Sequence, residues 1–104
     1  MQHFSPLQLK EYLKISEPLL LDVREAWEFD ICALNKSMLI PMGSIPVRMN
    51  ELGLSQEMVL ICHHGIRSRH VGLYLESQGF NNIINLSGGV DAWARDVDLQ
   101  MATY

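Results

Sequence analysis

The chain has 104 residues, enough for one domain built on one sheet and its helices. Hydrophobic residues make up 48% and charged residues 19%, the balance of a globular protein rather than a disordered one. A net charge of −4 and a pI of 5.4 exclude the broad basic face of a general nucleic-acid binder. No run approaches the roughly eighteen apolar residues of a membrane span.

Taken in order, Gln2-His3-Phe4 reads as a short leading strand. Ser5, Pro6 and Gln8 make a helix start, a capping box with proline at the first helical position. Leu7, Leu9, Tyr12 and Leu13 supply that helix with an apolar face to near Ile15, and Pro18 breaks it. Residues 19–23 are a buried strand with Asp22-Val23-Arg24-Glu25 at its carboxyl end, and a short helix around Trp27-Glu28-Phe29 follows. Residues 37–40 form a third strand closed by Pro41 and Gly43. Pro46 opens a helix carrying Val47, Met49 and Leu52, ending near Gly53. Met58-Val59-Leu60-Ile61 is a fourth strand, and Val71, Leu75 and Gln78, with Tyr74, then repeat at helical spacing up to Gly79. Residues 82–86 give a fifth strand, and Ser87-Gly88-Gly89 turns tightly into a last helix holding Trp93. Strands alternating with helices predict a single α/β domain, a parallel sheet with helices on both faces. Its core runs over about residues 4–95, and residues 97–104 are expected to be a loosely held tail.

The chemistry concentrates after the fourth strand. Cys62 falls where a strand's carboxyl end turns into a helix's amino end, the edge at which open α/β sheets bind ligands. The first N–H groups of a helix lack partners within it and carry partial positive charge, so a loop curled over them makes a bowl of donors suited to an anion. A cysteine at its rim is favoured as thiolate, the nucleophilic form. Residues 58–75 contain no Asp or Glu but hold His63, His64, Arg67, Arg69 and His70, so an acidic chain gathers its cations around one cysteine. The competing reading of Cys62 is a buried small hydrophobe. His63 and His64 are either solvated loop residues or partners for a thiolate or leaving anion. Two cysteines, Cys32 and Cys62, make no disulfide framework, and the adjacent histidines without a paired C-x-x-C give no zinc set. Residues 1–6 lack a basic region followed by an apolar core, so no secretory signal is expected and the cytosol is the expected compartment.

Four segments in order resemble a single-domain rhodanese, a sulfurtransferase module. They are Asp22-Val23-Arg24-Glu25 with Glu28, the strand ending Ile40-Pro41, Cys62-x-x-Gly65-x-Arg67-Ser68, and Leu86-x-Gly88-Gly89-x-x-Ala92-Trp93. The resemblance implies a three-layer fold around a five-stranded, mostly parallel sheet. It also implies that Cys62 takes a sulfane sulfur to become a persulfide, cradled by backbone N–H groups from His63, His64, Gly65, Ile66, Arg67 and Ser68. Arg67 would close the loop and help hold a small anionic donor such as thiosulfate. Asp22 and Arg24 would brace the loop, against the alternative of a solvated turn with a local Arg24–Glu28 pair. Gly88 and Gly89 would let the backbone pass close beside the pocket, or simply make the turn. Trp27 and Trp93 are read as core or rim packing. The acceptor would be cyanide in an assay and a small or protein thiol in the cell, with no cofactor, no metal and a monomer as the default. One departure stands out: Asp30-Ile31-Cys32 occupies the place where many rhodaneses carry Gly-His-Ile. Cys32 is read as an ordinary buried cysteine, or as a resolving thiol if it lies within disulfide reach of Cys62.

Two rival functions stay open at this level. Cysteine-based phosphatases and arsenate reductases place five residues between Cys and Arg, whereas Cys62 and Arg67 are separated by four, which narrows the bowl towards a single sulfur atom. A non-catalytic or sulfur-carrying binding module acting in a complex is the other.

Overall fold

The computed structural model describes residues 1–104 and contains five strands and five helices. They are β1 (Gln2–Phe4), α1 (Pro6–Tyr12), β2 (Leu19–Asp22), α2 (Ala26–Ile31), β3 (Met38–Leu39), α3 (Ile45–Arg48), β4 (Met58–Ile61), α4 (Ile66–Ser77), β5 (Ile83–Leu86) and α5 (Gly89–Asp96). All neighbouring strands are parallel, in the order β1-β5-β4-β2-β3. No helix is long and apolar enough to cross a membrane.

Strand residues alternate between two apolar layers, as the two-residue period of a strand requires. Leu21, Met58, Leu60 and Ile83 face one layer with Ile45 of α3 and with Val71 and Leu75 of α4. Leu20, Val59, Ile61, Ile84 and Leu86 face the other with Leu9 of α1 and Val90 of α5. The strands read as continuous hydrophobic runs because both faces are covered.

Local signals set the element ends. Ser5 Oγ accepts from the Gln8 N–H while Gln8 Oε1 accepts from the Ser5 N–H, the full capping box. Helix α1 stops at Tyr12 rather than near Ile15, because the chain tightens into i→i+3 bonds there, and Leu7 and Ile15 are exposed. Helix α3 is only four residues long and passes into a 3-10 turn at Met49–Glu51, which leaves Val47 exposed.

The topology brings three strand ends together. Register pairs Asp22 of β2 with Ile61 of β4, and Leu60 of β4 with Asn85 of β5. The segments that follow β2, β4 and β5 therefore leave the sheet side by side at its carboxyl edge, with Cys62 in the middle.

Candidate active site

Cys62 is buried within the apolar layer under α4, but its sulfur is turned to polar groups. The Gly65 N–H donates to Sγ at 3.0 Å and the Ser68 N–H at 3.4 Å, and Ser68 Oγ lies 3.3 Å away. These amides bracket the start of α4, so the helix dipole has the same sense as the donors. Gly65, the residue before α4, has φ +93, which a side chain would strain.

The loop is held open from behind. The carbonyls of Cys62 and His63 point away from the bowl and accept from the Val90 and Asp91 N–H groups of α5, at 2.9 and 3.1 Å. Gly89 allows this approach. It has φ +59, and a Cβ there would lie 2.3 Å from the Cys62 carbonyl oxygen and 2.4 Å from that of His63. Gly88 also has positive φ and precedes the helix. Both glycines thus make the turn and admit the close backbone contact.

Asn85, a polar residue in a buried strand, locks the other side. It accepts from the Ser68 hydroxyl at 2.6 Å, its amide donates to the Gly65 carbonyl at 3.4 Å, and it lies beside the His3 ring. Its presence inside the run Ile83-Ile84-Asn85-Leu86 was the available signal, since a buried amide needs partners. Sequence reasoning missed this residue.

Arg67 makes its hydrogen bonds to Glu28 and none to Cys62. Its guanidinium forks onto both oxygens of Glu28 at 2.7 and 2.8 Å, joining α4 to α2. Glu28 also accepts from the Glu25 N–H and the Tyr104 hydroxyl, both at 2.9 Å. The Arg67 fork holds the Glu28 carboxyl down to about 2, against the opposing pull of burial, and the Arg67 guanidinium is raised in turn.

Asp22 and Arg24 are fully buried and pair with each other, Nη2 to Oδ2 at 2.8 Å. Arg24 further donates to the carbonyls of Glu28 and Cys32 and to the Tyr104 hydroxyl, at 3.3, 2.6 and 2.9 Å. It pins α2 and the segment after it, and reaches the Cys62 loop through Glu28 and Arg67 and through Tyr104, which lies against His63. The local Arg24–Glu28 alternative takes an unexpected form, since Arg24 meets the carbonyl of Glu28 and not its carboxylate. Cys32 lies here too, half-buried with Sγ 3.8 Å from Arg24, and both cysteines are free thiols.

The rim is aromatic. Tyr104, in the tail expected to be loosely held, stacks on the His63 ring at 3.9 Å and meets the exposed Trp27 edge-on at 5.8 Å. His63 also lies against His64, and burial together with the His64 charge lowers the pKa of His63. Ile66 is exposed beside the loop. His63, His64 and Asp91 bring three potential ligand atoms within 4.8 Å of one another, but Asp91 is already paired with Arg95.

The sequence model of the rhodanese-like domain family matches residues 5–96. The chain is 40% identical over 93 residues to the putative sulfurtransferase YtwF of Bacillus subtilis, covering 88% of this chain and 89% of that one. It is 38% identical over 77 residues to a sulfurtransferase of Allochromatium vinosum, covering 74% and 72%. The crystal structure of a rhodanese-like domain protein from Staphylococcus aureus superposes with a TM-score of 0.82 at 33% identity, covering 89% and 91%. Match, identity and shared architecture agree with the Cys62 loop and its glycine-paired turn: the chain belongs to the rhodanese-like domain family.

Proposed function

We propose that the protein is a sulfurtransferase that carries a sulfane sulfur as a persulfide on Cys62. The observation that carries this reading is the convergence of the Gly65 N–H and the Ser68 N–H on Cys62 Sγ, with the Ser68 hydroxyl oxygen 3.3 Å away. Such fixed donors stabilise an anionic sulfur without reorganising. The relatives named above, themselves described as sulfurtransferases, support the same class.

With thiosulfate as assay donor, Cys62 thiolate attacks the outer sulfur, the sulfur–sulfur bond of the donor breaks, and sulfite leaves with the electron pair. The outer sulfur of the resulting persulfide takes up the loop N–H groups. Cyanide or a thiolate then attacks that sulfur and Cys62 leaves as thiolate, restoring the starting state. The phosphatase alternative fits poorly, because Glu28 already engages both terminal nitrogens of Arg67, the fork an oxyanion would need.

Intact-mass measurement after incubation with a sulfane donor tests the reading. The expected result is a gain of one sulfur atom that is absent in Cys62→Ser and discharged by cyanide as thiocyanate. No adduct with any donor, in a folded protein, would leave the fold serving as a binding module only.

A further inference from the structure

The charges around the Cys62 loop bear on which donor it accepts, an inference that rests on the persulfide reading above. Each arginine packed against the site is matched by a carboxylate. Arg67 is forked onto Glu28, whose side chain is 5% exposed and fully partnered. Arg24 is closed onto Asp22 with neither side chain accessible. Arg95 pairs with Asp91, which also lies 3.9 Å from His64. Burial between His64 and Tyr104 favours the neutral form of His63. Arg69 and His70 are exposed further along α4.

What faces an incoming donor therefore offers no unpaired guanidinium among the arginines packed against the loop. Its polar part is the Gly65 and Ser68 N–H groups, and its apolar part is Ile66 with the His63–Tyr104 stack. A sulfonate dianion has only one way to gain a guanidinium here, by competing with Glu28 for Arg67. That would strip the partner from a buried carboxylate, a costly change. A thiol persulfide brings at most one charge against the two of thiosulfate, on the sulfur that the loop N–H groups meet, and its organic group can lie on the apolar and aromatic rim.

We propose that Glu28, by neutralising Arg67, sets donor choice so that Cys62 takes sulfur from thiol persulfides in preference to thiosulfate. In this step the Cys62 thiolate attacks the terminal sulfur of R–S–SH. A bond forms between the two sulfurs, the bond to the inner sulfur breaks, and R–S⁻ leaves with the electron pair. The proton stays on the transferred sulfur, and no external oxidant or reductant takes part.

The test compares wild type with Glu28→Gln, using thiosulfate and N-acetylcysteamine persulfide as donors and the rate of Cys62 loading as readout. Glutamine keeps an acceptor for Arg67 but frees its charge. The expected result is a rise of about tenfold in the ratio of thiosulfate to persulfide kcat/KM, carried by a lower KM for thiosulfate. An unchanged ratio in folded Glu28→Gln overturns the proposal while leaving sulfur transfer intact. The salt dependence of the wild type gives a second readout that needs no variant. Thiosulfate kcat/KM should hold or rise as ionic strength increases from about 0.02 to about 0.2 M, and a steep fall would reveal a free cation and overturn the proposal. If neither donor loads wild-type Cys62, the sulfur-transfer reading fails, and this inference with it.

Discussion

Two of the arginine–carboxylate pairs beside the site, Arg24–Asp22 and Arg67–Glu28, have the same chemistry and opposite settings. Arg24 and Asp22 are wholly sealed, two residues apart on one chain segment. Arg67 and Glu28 join elements 39 residues apart, and the arginine keeps 32% of its surface in water. A sealed pair cannot lose one member without stranding the other in low dielectric, so it acts as scaffold. A half-open pair can be titrated, screened or displaced, so it can tune a reaction.

The largest effect that would test this contrast is Arg24→Ala. It leaves the buried Asp22 carboxylate without its counter-charge, with only the residue 24 N–H on Oδ1, takes the donor from the Cys32 carbonyl, and should destabilise the fold by about 3–5 kcal/mol in denaturant titration. A loss below about 1 kcal/mol would show that the sealed pair is no scaffold.

Acid should act on the half-open pair. The Glu28 carboxyl is held well below its ordinary value of 4.5, down to about 2. A lowered folded-state pKa adds stability above the unfolded value and loses it as pH falls through the folded one. A contribution of about 2 kcal/mol, discounted for the exposure of Arg67, should therefore disappear between pH 4.5 and about 2. The measurement is the difference in acid unfolding between wild type and Arg67→Ala, and coincident curves would refute it.

At neutral pH, Arg67→Ala should cost about 1–2 kcal/mol, because the Tyr104 hydroxyl and the Glu25 N–H still serve Glu28. Sulfur loading should slow more than the stability loss explains, since α4 loses its tie to α2. Unchanged loading kinetics would remove Arg67 from the site. The smallest effect is that of Tyr104→Phe, which removes one hydroxyl from Glu28 and Arg24 but keeps the stack on His63. It should lower the melting temperature by no more than about 1 kcal/mol allows.

What could be read in advance was whatever nearest neighbours decide. The Ser5–Gln8 box, Pro46 at a helix start, the buried run into Cys62 and the positive-φ turn at Gly88-Gly89 all depend on a few adjacent residues. Partner choice across the fold was not readable. Whether Glu28 meets Arg24 or Arg67 follows from β2 lying beside β4, a fact of strand order that no local spacing encodes. The same holds for Asn85, which meets Ser68 only because β5 is the other neighbour of β4. The exposed Ile15 shows the reverse, apolar spacing that continues beyond a helix cut short, while Leu7 and Val47 lie within their helices but on the side turned to water.

The glycine turn before α5 has a consequence for redesign. The inward aim of the amides around Cys62 is imposed by a second segment, about one helix and one strand further along, that grips the carbonyls on the outer side. The portable module is thus discontinuous. Grafting the six residues after β4 onto another strand–helix junction would transfer the letters without the reactivity, unless a matching glycine pair and its helix travelled with them.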